Sequence, residues 1–493
     1  MGTPRSLVLM TVDCMRADHA SFLGYDRPTT PFLATLAAES LVFRNAIVSG
    51  APTYYSFPSM MASRHPLALG RDVVGLAPEE PTIATVLGES GYATAAFVAG
   101  NPYLTSRFGY DAGFDVFRDF LAAGECPIPD GLDTPSGMGN ARSGSRINRS
   151  LADLAHKLGP LGSLYNELYF RYCQRVAAST PQTLDELRCF PSADVIVDQA
   201  CEWLAGVAGR PFFLWLHFMD PHSPYYPPQE ALNLLGYSHV DASQARYLNS
   251  YWNRGDLGPN RLRHHREEVV RLYDAGIRWA DTQAARLVDV LRQRGVWENC
   301  VLAFTADHGE EFLDHGDRYH APRKITEELV HVPLLIRVSG ISRTEPVNPP
   351  FSLLDLAPTL LEVVDAQVPG NFRGSGRWAQ LQNGLSWEQP AIIECVTGCT
   401  NPFRMDKRLG ARILGVREGR YKLVIDFGNS SEALFDLESD PTELRPLPPD
   451  AEKPVRRRLL ERARHHLASS LQSRDPDARL AARLRDLRLE WAN

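Results

Sequence analysis

The chain has no apolar run near the ~18 residues needed to span a bilayer, and the apolar stretch after Met1 is interrupted too soon for a secretory leader. A cytoplasmic protein without a membrane span is therefore expected. No CxxC pair occurs: the eight cysteines, at 14, 126, 173, 189, 201, 300, 395 and 399, are scattered, which suits reduced thiols better than a disulfide framework or a zinc knuckle. Internal repeats are absent. An excess of positive charge is missing too, since 52 Lys+Arg face 59 Asp+Glu for a net charge of -7, so no nucleic acid is an expected partner. The segment after residue 450 is basic, with eleven basic against six acidic residues.

What is present is a globular composition: 493 residues, 44% apolar and 23% charged, with a mean hydropathy of -0.24. That length suits roughly three domains, or one large α/β domain with an appendage. Short strands are expected at 7–12, 41–46, 94–99, 212–218, 300–306 and 332–338, interleaved with helices from Thr30-Pro31 to Ala38 and over 82–90, 193–206, 266–295 and 353–365. Such alternation predicts an α/β protein with a mixed or parallel sheet covered on both faces.

Two polar stretches, 121–150 and 225–263, read as inserted surface loops or lids. After residue 390 the texture turns to short strands at 391–396, 415–426 and 433–437, followed by basic helices that include 477–490. The expected division is a catalytic domain over 1–390 and a smaller α+β subdomain over 391–493.

Candidate chemistry gathers where strands end. Thr305-Ala306-Asp307-His308-Gly309-Glu310-Glu311 follows one buried strand, and Asp13 ends the first strand in the same manner. Open α/β sheets place ligands at the carboxyl ends of their strands, and a carboxylate with an imidazole suits a divalent cation. A third element is Ala51-Pro52-Thr53-Tyr54-Tyr55-Ser56-Phe57-Pro58-Ser59, a hydroxyl-rich turn before a short helix. Both a helix amino terminus and a nearby cation favour a negative hydroxyl oxygen.

In order along the chain, the segments resemble the sulfatase branch of the alkaline phosphatase superfamily. Thr11-Val12-Asp13-Cys14-Met15-Arg16 with Arg27-Pro28-Thr29-Thr30-Pro31 is similar to that family's first metal-binding loop, and Leu216-His217-Phe218-Met219-Asp220-Pro221-His222 to its substrate-side histidine segment. Asp307-His308-Gly309-Glu310 with Asp314-His315-Gly316 resembles the second metal loop. Val416-Arg417-Glu418-Gly419-Arg420-Tyr421-Lys422-Leu423 and Leu434-Phe435-Asp436-Leu437 resemble its carboxy-terminal subdomain. The implied fold is an alkaline-phosphatase-like large mixed sheet with helices on both faces and a smaller α+β subdomain.

One departure changes the implied chemistry. The family's nucleophile is a Cys or Ser in Cys-x-Pro-x-Arg, oxidised to formylglycine. Aligning on Arg64-His65-Pro66 puts Thr53 there, with Tyr55 for Pro and Phe57 for Arg. Threonine cannot yield the aldehyde, so the resemblance shifts toward superfamily members that use a threonine nucleophile; Ser56, three residues on, is the rival. The resemblance implies one divalent metal ion held by Asp13, Thr53, Asp307 and His308, with Cys14 standing where many sulfatases have a further Asp. Zinc or manganese suits that set better than calcium or magnesium. It also implies Asn101, His222 and Lys324 on the substrate, His320 as the alternative to Lys324, and His315 or His222 as the acid for the leaving oxygen. His217 is the remaining substrate-side candidate, although its place on a strand suits a structural histidine better than a catalyst. Arg16 and Asp18 read as a structural ion pair.

Three functions follow: a metal-dependent hydrolase of small-molecule phosphate or sulfate esters through a covalent Thr53 intermediate; a transferase of the same chemistry; or a binding protein that has lost turnover. An oligomer is compatible with each.

Overall fold

A computed structural model describes residues 5–70, 74–121, 160–178, 182–207, 209–341, 343, 345–397 and 410–470. Most of the predicted loop at 121–150 and all of the predicted helix at 477–490 lie outside these residues. The chain separates into two compact units, one built from 1–121, 190–219 and 280–493, the other from 122–189 and 220–279.

The first unit holds the strands β1 (Ser6–Val12), β2 (Leu41–Ile47), β3 (Ala93–Val98), β4 (Val116–Arg118), β5 (Phe212–Phe218) and β6 (Cys300–Ala306). It continues with a small hairpin, β7 (Glu311–Phe312) and β8 (Arg318–Tyr319), and with β9 (His331–Arg337) and β10 (Phe351–Ser352). Eight of them form one sheet in the order β10-β2-β9-β6-β1-β5-β3-β4. It is mixed. β6, β1, β5, β3 and β4 run parallel, while β9 is antiparallel to both β6 and β2. Every residue of β1, β3, β5 and β6 is buried, as expected of strands covered on both faces.

Register decides where the chemistry falls. Val12 pairs with Phe218 on one side and Ala306 on the other, so Asp13 and Asp307 leave adjacent parallel strands at the same level. Val98 pairs with His217, which brings the carboxyl end of β3 to the same edge. The predicted helices that flank these strands form as Pro31–Ala37, Ile83–Glu89, Ala193–Gly206 and Leu356–Val363. Thr82 caps the second of them, its hydroxyl accepting from Thr85 N while Thr85 returns the bond to Thr82 N.

The carboxy-terminal strands β11 (Ala391–Val396), β12 (Arg412–Glu418), β13 (Tyr421–Asp426) and β14 (Ser431–Asp436) form an antiparallel meander. The stretch 415–426, read as one strand, is a hairpin that turns at Gly419, whose φ of 56° lies in the left-handed region open to glycine. Helix Lys453–Ser470 lays Leu459 and Ala463 on Leu414, Val416, Leu423 and Leu434 of this sheet. Lys422 ties the meander to the large sheet's loops. Fully buried, its Nζ donates to the Ile325 carbonyl at 2.6 Å, Glu327 Oε1 at 2.9 Å and Glu443 Oε2 at 3.1 Å. Lys422→Met strands two carboxylates, so a loss of about 3–5 kcal/mol in unfolding free energy is expected from denaturant titration. A loss below about 1 kcal/mol contradicts the role given to this lysine.

The second unit corrects the reading of 225–263 as a loop. This segment forms helices Gln229–Leu234, Ala242–Trp252 and Pro259–Leu262. Asp241 caps the middle one through Gln244 N, and Leu248, Tyr251 and Trp252 are buried at helical spacing beneath a polar outer face. In the same unit Arg254 bonds Glu167 at 2.8 Å and Asp256 at 2.9 Å and lies over the Phe170 ring. Among the described residues no helix is long and apolar enough to cross a membrane.

Candidate active site

Asp13 lies at the centre of the first unit's strand-end cluster and is fully buried. Its Oδ2 accepts from Asn101 Nδ2 at 2.8 Å and lies 3.4 Å from His217 Nε2 and 3.5 Å from Thr53 Oγ1. Its Oδ1 accepts from Cys14 Sγ at 2.9 Å and lies 3.6 Å from His308 Nε2. Asp307, also fully buried, takes the backbone N–H of His308 at 2.9 Å and of Cys14 at 3.3 Å on Oδ1. Its Oδ2 has no hydrogen-bond partner among the described residues and lies 3.6 Å from His308 Nε2. Burial, and then the Asp13 charge, push the Asp307 carboxyl well above the ordinary range. Two carboxylates buried side by side call for a cation.

Thr53 opens helix Thr53–Ala62, and its Oγ1 is 3.3 Å from His308 Nε2. Ser56 is one turn further in, its hydroxyl donated to the Thr53 carbonyl at 3.1 Å. The geometry thus brings Thr53, not its rival, to the carboxylates.

Both histidines turn Nε2 toward the carboxylates. His308 Nδ1 donates to the Gly309 carbonyl at 2.8 Å, which fixes the proton on that nitrogen. Thr11 Oγ1 receives Trp215 Nε1 at 3.0 Å and gives its single proton to the Leu216 carbonyl at 3.1 Å. His217 Nδ1, 2.9 Å from the same hydroxyl, must therefore donate to it, which turns Nε2 toward Asp13. That nitrogen is buried and has no hydrogen-bond partner among the described residues. His217 is neither a satisfied structural histidine nor remote from the acids. The orientation of a side chain beside Asp13 is what sequence spacing did not reveal.

Two backbone features hold the loops. Cys14 has φ 61°, a left-handed conformation that costs a non-glycine residue about 1 kcal/mol or more and turns its N–H onto Asp307. Gly309 passes so close to the next segment that a Cβ there meets Glu328 O at 1.9 Å, so no larger residue fits without moving backbone.

The other predicted residues are distributed as follows. Asn101 faces Asp13, and its Oδ1 takes the Tyr103 N–H at 3.0 Å, so its amide orients the carboxylate. His320 Nδ1 lies 3.4 Å from both Cys14 Sγ and Glu310 Oε2. Lys324 Nζ is held by Glu311 at 2.7 Å and Asp317 at 3.3 Å. The hydrogen bond to Glu328, at 2.8 Å, lifts His315 to about 9, so at neutral pH its other nitrogen also donates, toward the Glu443 carbonyl at 3.4 Å. His222 belongs to the second unit, with Nδ1 on the Ser223 carbonyl. Arg16 pairs with Asp18 as expected, at 2.7 Å, and also with Asp314 at 2.9 Å.

A mixed sheet that converges two buried acids, two imidazoles and a helix-opening hydroxyl on one edge is the alkaline-phosphatase-like α/β architecture. The Sulfatase family model matches residues 5–366, and that of N-sulphoglucosamine sulphohydrolase, C-terminal, matches 315–468. The chain belongs to the sulfatase family.

Relatives include arylsulfatase K of Canis lupus familiaris, 25% identical over 283 residues, covering 50% of this chain and 50% of that protein. Choline-sulfatase of Rhizobium meliloti (strain 1021) is 26% identical over 50% of this chain and 48% of its own. The chain spans about half the length of the first of these curated relatives. The multifunctional alkaline phosphatase superfamily protein PehA of Trinickia caryophylli is 22% identical over 91% of this chain and 92% of its own. Among solved structures, a protein in complex with its substrate D-glucosamine-2-N,6-O-disulfate superposes with a TM-score of 0.68 at 16% identity, covering 95% of this chain and 98% of that one. The phosphonate monoester hydrolase of Agrobacterium radiobacter does so with a TM-score of 0.59 at 18% identity, covering 94% and 95%.

Proposed function

We propose that this protein is a divalent-metal-dependent hydrolase of sulfate or phosphate esters that works through a covalent ester on Thr53. The observation that carries the reading is the position of Thr53 Oγ1 at a helix amino terminus, 3.5 Å from Asp13 Oδ2 and 3.3 Å from His308 Nε2. The sulfatase and phosphonate monoester hydrolase likenesses support the reaction class.

The residues fit a metal ion. Asp13, Asp307, His308 and Thr53 would hold it, with His217 Nε2 beside them, and Asp307 Oδ2 and His217 Nε2 otherwise lack partners among the described residues. This carboxylate, imidazole and hydroxyl set suits zinc or manganese. When bound, the ion supplies Lewis acidity that lowers the hydroxyl's pKa and neutralises nonbridging ester oxygens.

The chain's own groups do the rest. Thr53 Oγ1 attacks the sulfur or phosphorus, its proton passing to solvent, and the helix amino terminus favours the negative oxygen. One bond forms from Oγ1 to that centre; the bond to the leaving oxygen breaks, and that oxygen departs with the electron pair and takes up a proton. Water then attacks the same centre and frees Thr53. Asn101 and the Cys14 and His308 amides keep the two carboxylates in place throughout.

The test is turnover of aryl sulfate, phosphate monoester, phosphodiester and phosphonate monoester by the purified protein before and after exhaustive chelation. At least one ester class is expected to turn over, to stop on chelation and to resume with zinc or manganese. Turnover that survives complete metal removal overturns the reading.

A further inference from the structure

Behind the helix that Thr53 opens lies a second group of ligand-type side chains, drawn from three elements of the first unit. Helix Thr53–Ala62 has ten residues and is therefore about 15 Å long, and His65 follows its far end. Glu394 sits within β11, an edge strand of the meander, where its N–H donates to the Ser49 carbonyl at 2.7 Å. His466 comes from helix Lys453–Ser470. None of the three belongs to the strand-end cluster around Asp13.

Glu394 is fully buried, and its Oε1 accepts from His466 Nε2 at 2.9 Å and lies 3.5 Å from Arg412 Nη1. Its Oε2 has no hydrogen-bond partner among the described residues, and neither has His65 Nδ1, although both atoms are buried. The His65 and His466 rings meet edge to face with centroids 4.5 Å apart. Burial, and then His466, push the His65 imidazole down to about 3, so that ring is neutral at physiological pH. A buried carboxylate oxygen and a buried ring nitrogen without partners are each costly, and one cation between them would meet both. Ligand atoms of all three residues lie within 4.8 Å of one another. Arg373 and Arg412 also bear on His65, so the group is no acidic trap for a hard cation such as calcium; its donors suit a metal that prefers imidazole.

We propose that His65, Glu394 and His466 form a structural zinc site, apart from the strand-end cluster, that staples the carboxy-terminal helix to β11 and to the loop behind the Thr53 helix. Two imidazoles and one carboxylate are a donor set that zinc takes, with water completing the tetrahedron. On binding, His466 Nε2 gives up the proton it now shares with Glu394, and the freed lone pair goes to the ion. The ion then joins three elements far apart in the chain, and its binding energy becomes stability of the fold. The inference does not depend on the reaction proposed for Thr53.

The test counts and locates zinc in the full chain. Wild type, Glu394→Gln, His466→Gln and Asp307→Asn are loaded with zinc, freed of excess and measured by native mass spectrometry, with circular dichroism to follow the fold. One zinc fewer than wild type is expected in Glu394→Gln and in His466→Gln. Zinc should still raise the melting temperature of Asp307→Asn, and that rise should vanish when His466→Gln is added to it.

Where the variants fail to fold, anomalous diffraction at the zinc edge from wild-type crystals decides, with a peak among His65, Glu394 and His466 expected. Equal zinc in wild type and in folded Glu394→Gln and His466→Gln, or a peak beside Asp13 and Asp307 with none beside Glu394, overturns this site and leaves the proposed function standing. A peak beside Glu394 with none beside Asp13 supports this site and counts against the metal-dependent reaction instead.

Discussion

Thr53→Ala is expected to lower kcat by about a thousandfold or more and to abolish any covalent intermediate, because removing a nucleophile deletes the bond-forming atom itself. Thr53→Ser keeps a hydroxyl at the helix opening and should retain activity within about tenfold. Ser56→Ala removes only a hydroxyl bonded to the Thr53 carbonyl, so it too should stay within about tenfold. Steady-state kinetics on whichever ester the protein turns over checks all three. A Ser56→Ala variant as damaged as Thr53→Ala would move the nucleophile three residues along the helix.

The second large effect concerns stability and reverses sign with metal. In chelated protein Asp13 and Asp307 repel each other within a buried site, and burial first, then Asp13, raises the folded-state pKa of Asp307 above its ordinary 3.8. The folded state then binds more protons than the unfolded one across that interval, so chelated protein loses stability as pH rises from 3.8 toward the raised value. Asp307→Asn removes the ionisable group. Chelated Asp307→Asn should therefore be more stable than chelated wild type at neutral pH by about 1–4 kcal/mol, with a flatter pH dependence. In excess zinc the order inverts, since wild type gains about 4 kcal/mol at a thousand times Kd and the variant forgoes it. Thermal melts with and without chelator read both halves; an Asp307→Asn variant less stable than wild type in both states would refute the buried-acid account.

Much of this site is legible in the sequence because strand ends are. Asp13 and Asp307 each follow a largely apolar run, and parallel register alone carries them to one level. Thr53 is legible through the family resemblance, aligned on Arg64-His65-Pro66. What spacing does not encode is side-chain direction across strands. His217 sits on β5 like any buried residue, and only its bond to Thr11 on β1 turns Nε2 toward Asp13. Cys14 read as a missing ligand, yet its left-handed backbone places Sγ between Asp13 and His320. Lys324 reads as a substrate contact and His315 as a leaving-oxygen acid, while their ion pairs with the buried carboxylates Glu311 and Glu328 are not encoded in spacing. The helices of 225–263 escaped notice because their outer faces are polar enough to pass for loop, whereas their buried Leu248, Tyr251 and Trp252 appear only at helical spacing.

The central claim is that Thr53 Oγ1 becomes the ester oxygen. Its most direct test is to quench the metal-loaded protein during turnover and map the peptide spanning residues 51–66 by mass spectrometry. The account predicts a sulfate or phosphate increment on Thr53, absent from Thr53→Ala and from chelated protein. An increment on Ser56, or brisk turnover with the peptide never modified, would contradict it.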